Sequence, residues 1–181
     1  SKINKLSKSH EFIFSKLRFS NKRMEHQDLL SKLILLESYQ DFLSFTKKNL
    51  DALIRNNKIK NKEIDVSIDN CIHGLNKLND VFGEKDIFLR SKSIIPLYYW
   101  YYTRNSGIPK NRFRSFLEIF ENARVENRKN KDQGKSNRSL LQFDRLNQQG
   151  AHQAKSLKLR FEIFDFYYKH YDSHAHINLK K

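Results

Sequence analysis

The chain has 181 residues, a formal net charge of +15 and one cysteine. A chain of this length can bury a substantial core, and we expect one domain spanning residues 1–181. The single Cys71 excludes an internal disulfide and fits a reducing compartment. No apolar run reaches the length of a membrane span and no signal-peptide pattern opens the sequence, so we expect a cytoplasmic protein without a membrane partner.

The composition predicts an all-α fold. Valine occurs at only three positions and threonine at only two, and the chain has two prolines and five glycines, which leaves little from which to build a sheet and its turns. Leucine, lysine, glutamate and phenylalanine are abundant. We therefore expect a single multi-helix domain packed around a buried aromatic helix, described below.

The N-terminal third predicts helices of two kinds. The first twenty residues alternate lysine and serine with scattered apolar side chains, which predicts a short helix that packs as an N-terminal arm. From residue 21 onward leucines recur at helical spacing and then change phase near Ser38. This pattern predicts two helices, or one kinked helix, ending at about Arg55. An amphipathic helix over residues 61–82 should follow, with Gly83 in the usual position after a helix C-terminus.

Residues 94–102 (IIPLYYWYY) are the most apolar and aromatic run in the sequence. No polar face can be drawn on the run at helical or strand period, and a helix that is apolar all round is usually buried on all sides. Pro96 fits only a first helical turn. The prediction is a central helix over about residues 93–104, closed by Gly107 and Pro109. The alternative is that these rings stack nucleobases, although no basic residue lies within the run.

Three further helices are predicted in the C-terminal half. Pro109 begins the first, which directs Phe113 and Phe116 inward. Residues 126–137 contain one glycine, no apolar side chain and several basic ones, which predicts a flexible basic loop. A short helix over about residues 140–146 and a last helix over about residues 151–174 complete the chain.

A histidine group near the end of the chain could bind a metal. His170, His174 and His176 stand at positions i, i+4 and i+6, but the HExxH pattern of zinc enzymes is not met because the glutamate is missing. A solvated tail explains the spacing better. The prediction is that the chain has no metal site, and no nucleotide-binding glycine motif indicates a cofactor.

Arg145 and His152 match the loose Arg-x(4–6)-His spacing of the HEPN helical ribonucleases. In such a pair the histidine performs acid–base chemistry and the arginine stabilises a phosphate. Gly150 lies between the two and would break the helix that normally holds them. We therefore assign no catalytic residue, and a ribonuclease is kept as the less favoured alternative.

The positive charge is concentrated in the second half of the chain. Residues 101–160 hold 14 Lys+Arg against 5 Asp+Glu, a net of +9, whereas residues 61–90 hold more acidic than basic residues. A basic face of this kind predicts binding to nucleic acid, DNA before RNA, through phosphate contacts. The alternative is an ordinary solvated surface. The predicted nucleic-acid-binding residues are Arg112, Arg114, Arg124, Arg128, Lys129, Lys131, Lys135, Arg138, Lys155, Lys158 and Arg160.

Several short segments, taken in order, resemble one family. The segments are residues 21–24 (NKRM) before a leucine-rich helix, 79–85 (NDVFGEK), 87–90 (IFLR), 141–150 (LQFDRLNQQG) and 156–160 (SLKLR). With the aromatic run between them, they resemble the helical C-terminal half of the GmrSD-type, ParB-like bacterial restriction and phage-defence proteins.

The resemblance implies a role without catalysis. In that family the DNA-cleaving chemistry is attributed to an N-terminal domain with a DGQQR-like motif, and this sequence contains no such motif. The implied function is a helical accessory domain that helps to hold nucleic acid beside a catalytic domain or subunit. The alternative from a different class is a protein–protein interaction and dimerisation module, a homo-oligomer without nucleic-acid contact.

Overall fold

The computed structural model describes residues 2–55, 61–130 and 136–171. Within these ranges the chain forms α-helices and no β-strand, which confirms the predicted all-α fold. The helices are α1 (Lys2–Ser9), α2 (Glu25–Tyr39), α3 (Lys47–Arg55), α4 (Asn61–Asn79), α5 (Ile95–Arg104), α6 (Lys110–Lys129), α7 (Arg138–Gln148) and α8 (Ala154–Lys169). Short π- and 3₁₀-helical turns at Phe12–Lys16, Lys22–Met24 and Ile87–Leu89 connect some of them.

Helix α5 is the predicted aromatic helix and lies at the centre of the fold. Pro96 is in its first turn, and every residue from Ile95 to Tyr101 is buried. The helix contacts α2 and α4 of the N-terminal half and α8 of the C-terminal half. Its rings belong to the core: the ring centroid of Tyr101 lies 4.9 Å from that of Phe164. The sequence shows no polar stripe here because the helix has no solvent-facing side.

Three tyrosine hydroxyls of α5 tie it to three different helices. Tyr98 donates a hydrogen bond to Glu121 of α6, Tyr99 donates to Glu37 of α2, and Tyr101 donates to Asp165 of α8. Burial, together with the neighbouring carboxylates, raises the pKa of each tyrosine. These bonds satisfy polar groups that would otherwise be buried without partners.

The short helix predicted at the N-terminus is α1, but the segment that follows it belongs to the core and not to an arm. Phe12, Ile13 and Leu17 are fully buried. The turn Phe12–Lys16 contacts α4, and the carbonyls of Ser15 and Lys16 accept backbone hydrogen bonds from the loop that follows α4. A π-turn changes the helical phase, which is why the apolar residues of this segment look scattered in the sequence.

The leucine-rich segment forms two helices, as one of the two predicted alternatives states. Helix α2 ends at Tyr39 because Gln40 adopts a left-handed conformation (φ 56°) and donates its N–H to the carbonyl of Leu36. Helix α3 begins seven residues later, at Lys47. The next helix, α4, ends at Asn79, three residues before its predicted end.

Gly83 is not the helix-ending residue that the sequence suggests. Its N–H donates to Asp86 Oδ2 at 2.9 Å, and the other oxygen of Asp86 accepts from the N–H of Phe88 at 3.0 Å. The buried Asp86 carboxylate therefore shapes the loop between α4 and α5, including its 3₁₀ turn Ile87–Leu89.

The C-terminal half is a layer of three helices. Phe113 and Phe116 of α6 are buried as predicted, and Phe120 is buried with them. Helices α7 and α8 form an antiparallel hairpin, in which Asn147 contacts Arg160 near the connection and Ser139 contacts Tyr167 at the far end. The hairpin follows the two predicted helices, and the left-handed Gly150 (φ 70°) lies in its connection.

The predicted flexible loop over residues 126–137 is partly helical. Helix α6 continues to Lys129. The amide of Asn127 donates to the carbonyl of Asn137 and accepts from its N–H, while the Asn137 side chain caps the first turn of α7. These bonds join the end of α6 to the start of α7. Residues 131–135 lie outside the described residues.

Candidate nucleic-acid interface and a neighbouring polar cavity

Four exposed basic residues of the C-terminal hairpin are the centre of the candidate interface. We call them the α7–α8 basic surface: Arg138, Arg145, Lys155 and Lys158. Three of the four are among the predicted binding residues, and Arg145 is the addition. Within the part of the chain that the structure describes, none of them forms an ion pair with a carboxylate.

The hairpin brings these residues together in pairs. Arg138 and Arg145 are two helical turns apart on one side of α7, and Lys155 and Lys158 are neighbours in the first turns of α8. The connection between the helices is five residues long, so the Arg145 end of α7 lies beside the lysine end of α8.

Four acidic residues of the C-terminal layer form ion pairs with its arginines and lysines, whereas Glu162 of α8 is exposed and has no ion pair among the described residues. Glu118 pairs with Arg114, Glu126 pairs with Lys129, and Glu121 and Asp144 both pair with Arg124. Apart from the buried Arg160, the cations of this layer that have no carboxylate partner are exposed. The sequence shows the excess but does not show which cations are neutralised.

Arg124 is a correction to the predicted interface, because it is buried. Its guanidinium donates to Glu121 and, with Nε at 2.7 Å and Nη2 at 2.6 Å, to Asp144. It also lies 4.7 Å from the ring centroid of Phe143. Burial alone would lower the pKa of Arg124, but the two carboxylates and Tyr98 raise it. This arginine joins α6 to α7 and is not available to a phosphate.

Arg160 is the second correction. Its side chain is 0% exposed, and its guanidinium donates to the carbonyls of Ser93 and Ala151 and to Asn147 Oδ1 at 2.7–3.0 Å. No carboxylate pairs with it in the described residues, and its Nε has no hydrogen-bond partner there. Burial, reinforced by the nearby charge of Arg124, lowers the pKa of Arg160 to about 10. The residue connects α8 to the start of α5 and to the hairpin connection.

Three other predicted binding residues form ion pairs with carboxylates. Arg114 pairs with Asp86 at 2.6 Å and lies 4.5 Å above the ring of Phe88, so it stabilises the loop before α5. Arg128 pairs with Asp144 and remains partly exposed. Lys129 is exposed beside Glu126.

Arg112 is exposed, and its guanidinium lies about 6 Å from the rings of Tyr168 and Tyr171. It therefore covers the end of α8 as well as facing solvent. Lys131 and Lys135 fall in the range 131–135, outside the described residues.

A polar cavity of about 310 Å³ lies next to this layer, between the 3₁₀ turn and helices α6 and α7. Three arginines and two carboxylates line it. The complete lining is Ile87, Phe88, Arg90, Ser91, Ile94, Tyr98, Glu121, Asn122, Arg124, Val125, Arg128, Asp144, Asn147 and Gln148. Sequence reasoning did not find this site because its residues come from segments that are far apart in the chain.

The alternative chemical sites gain no support from the geometry. His152 lies in the connection after α7, and neither its side chain nor that of Arg145 hydrogen-bonds to the other. His170 Nδ1 contacts the carbonyl of Phe166, while His174 and His176 lie outside the described residues. Within the described residues there is no group of His, Cys, Asp and Glu that could hold a metal ion.

Cys71 is buried, and burial raises the pKa of its thiol. It is therefore a poor nucleophile. In the part of the chain that was described, no helix combines the length and the apolar character needed to cross a bilayer.

Comparison of the chain with protein-family models, with curated proteins and with solved structures found no match.

Proposed function

We propose that this protein is a non-catalytic helical domain that binds nucleic acid through the α7–α8 basic surface. The observation that carries the proposal is the division of charge in the C-terminal layer. Every described acidic residue between positions 101 and 160 is held in an ion pair, whereas the four cations of this surface are exposed and unpaired; Glu162 is the exposed carboxylate of α8 that has no ion pair among the described residues. A surface of this kind attracts a polyanion.

The expected binding is to phosphates and not to bases. Arginine and lysine side chains without fixed partners give sequence-independent contacts, each releasing counterions from the nucleic acid. Four such contacts on duplex DNA correspond to a slope of about −3 to −4 in a plot of log K against log salt. The aromatic rings of α5 from Tyr98 to Tyr101 take no part because they are buried.

The proposed context is a DNA-acting restriction or phage-defence protein of the GmrSD type. This part of the proposal is motivated by the short sequence segments described above. In that context the domain would help to hold DNA while a separate catalytic domain or subunit cleaves it. DNA is therefore the first ligand to test, and RNA is the comparison.

A dimerisation module has less support. Among the residues whose side chains the structure describes, each exposed large apolar side chain belongs to a different element: Phe14, Met24, Tyr39, Val66, Ile87, Val125 and Phe166. Only Ile87 and Val125 among them share a feature, since both line the polar cavity. Single exposed apolar residues are normal on a monomer surface.

Fluorescence anisotropy with labelled duplex DNA, single-stranded DNA and RNA over a salt series tests the proposal. The test variant replaces Arg138, Arg145, Lys155 and Lys158 by glutamine. A matched control replaces four exposed lysines of α1 and α3, at positions 5, 8, 47 and 48, and so changes the net charge equally. We expect the test variant to lose most of the affinity and of the salt slope, and the control to keep both.

Two results would contradict the proposal. Equal losses in the two variants would mean that net charge, and not this surface, determines binding. Absence of binding by the unmodified protein at low salt would remove nucleic acid as a partner. Light scattering would then show whether the protein forms a defined oligomer.

A further inference from the structure

We propose that the polar cavity beside α6 and α7 binds a phosphate monoester attached to a small organic body, such as a nucleoside monophosphate. This site goes beyond the α7–α8 basic surface, and a different set of side chains forms it. The hydrogen-bonding capacity that remains in the cavity, its charge and its size support this assignment.

The carboxylates of the cavity are largely occupied. Glu121 Oε1 accepts hydrogen bonds from Tyr98 and Arg124. Both oxygens of Asp144 are bonded, one to Arg124 and the other to Arg128 at 2.8 Å. Arg124 in turn uses Nε, Nη1 and Nη2 in these bonds. The centre of the cavity wall is thus already paired.

The remaining capacity consists mainly of donors. Arg90 is exposed at the cavity edge and forms no ion pair with a described carboxylate. Arg128 uses only Nη1, so its other N–H groups remain available. The Asn147 oxygen is occupied by Ser93 and Arg160, which leaves its NH₂ group as the free end. A cavity with many unused donors selects a ligand that is rich in acceptors and negatively charged.

The charge of the cavity also favours an anionic ligand. Three guanidinium groups stand against two carboxylates, and Arg90 is the uncompensated one. A phosphate monoester presents three strong acceptor oxygens and up to two negative charges, which suits planar guanidinium groups better than a carboxylate does. Arg90 and Arg128 come from different elements, the loop before α5 and helix α6, and both line the cavity.

The size and the apolar lining indicate a ligand larger than phosphate. The volume of about 310 Å³ lies at the lower end of the range for small-molecule sites, roughly 300–1,000 Å³. Ile87, which is 50% exposed, and Val125 supply apolar surface, with Phe88 beside them. The amides of Asn122 and Gln148 could bond the edge of a heterocycle. A nucleotide combines these features in one molecule.

The wall of the site is held rigid before any ligand arrives. Tyr98 and Arg124 are buried and hydrogen-bonded, and the fully buried Arg160 fixes the Asn147 side chain from behind. A preformed site loses little conformational entropy on binding.

Isothermal titration calorimetry with adenosine and guanosine monophosphate, adenosine and inorganic phosphate tests the assignment. We expect the monophosphates to bind, and adenosine and inorganic phosphate to bind at least about tenfold more weakly. The variant Arg90→Gln should reduce nucleotide affinity about tenfold or more, because it removes charge-assisted hydrogen bonds. Arg145→Gln, at an exposed arginine outside the cavity, should not change it.

Short oligonucleotides test whether the bound phosphate belongs to the end of a nucleic-acid strand or to a free mononucleotide. Tighter binding of a strand with a 5′-phosphate than of the same strand with a 5′-hydroxyl, lost in Arg90→Gln, would assign the site to strand ends. A preference for free mononucleotides would assign it to a small-molecule ligand. Either result supports the phosphate-monoester assignment.

Three results would overturn the assignment: no binding of monophosphates at millimolar concentration, unchanged affinity in Arg90→Gln, or inorganic phosphate binding as tightly as the nucleotides. The quadruple variant of the α7–α8 basic surface should still bind the monophosphates. This inference and the proposed function can therefore fail separately. Arg90→Gln is suited to the test because Arg90 is exposed and unpaired among the described residues, so the substitution should leave the melting temperature unchanged.

Discussion

Adding a single methyl group at Gly74 of α4 should lower the stability of the protein substantially. A Cβ atom at this position would lie 2.6 Å from two side-chain atoms of Tyr99 and 2.8 Å from Thr103 Cγ2. Tyr99 cannot turn away easily, because its ring is fully buried and its hydroxyl is bonded to Glu37. We therefore expect the variant Gly74→Ala both to overpack the contact between α4 and α5 and to break that hydrogen bond.

The magnitude follows from three opposing contributions. Alanine is favoured over glycine in a helix by about 1 kcal/mol. Overpacking a buried contact costs about 1–3 kcal/mol, and leaving the buried Glu37 acceptor without its donor costs about 1–3 kcal/mol more. We expect a net loss of about 3 kcal/mol, which for a chain of this size lowers the melting temperature by about 6–12 °C.

Thermal and urea denaturation followed by circular dichroism measures this loss. Gly107→Ala is the matched control, because a Cβ at Gly107 has no neighbouring atom within 4 Å and its backbone needs no left-handed conformation. That variant should be neutral or slightly stabilising. If Gly74→Ala is as stable as the control, the close contact between α4 and α5 is not as described.

Three further predictions concern buried ionisable groups. Asp144→Asn should lower the free energy of unfolding by about 3–5 kcal/mol in urea titrations, because it leaves Arg124 and Arg128 without their shared carboxylate; a loss below 1 kcal/mol would contradict this. Cys71 should resist a thiol reagent in the native protein and react only on unfolding, since burial hides it and raises the pKa of its thiol. Burial also lowers the pKa of His10 below 6.5. The unfolded chain therefore binds this proton at a higher pH than the folded protein, and stability should fall as pH decreases from 7 through 6.5. Denaturant titrations at pH 7.5 and 5.5 should show a smaller difference in His10→Gln.

The sequence was sufficient to predict the helices and the central element. An apolar run with Pro96 near its start and no polar stripe has one ordinary explanation, a helix buried on all sides, and α5 fits it closely. The phase change near Ser38 also indicated a break or a kink, which the structure shows as the gap between α2 and α3. These features are encoded by neighbouring residues, so they can be read without knowledge of the tertiary contacts.

Which basic residues are buried and which are exposed could not be predicted in the same way. Arg124 and Arg160 look like the other cations of the segment, yet both are buried, one between two carboxylates and the other among backbone carbonyls. Their partners lie up to 67 positions away in the chain. The role of Gly74 is hidden for the same reason, since only the crossing of α4 and α5 explains it.

The central position of α5 also has a consequence for the newly made chain. Helices α1 to α4 leave the ribosome before α5, and α2 and α4 present the apolar surfaces against which α5 later packs. Until residues 95–104 emerge, those surfaces have no native cover, and the N-terminal half is exposed to aggregation and to chaperones. A fragment ending near Asn79 should therefore be insoluble when it is produced alone, even though it contains four of the eight α-helices described above.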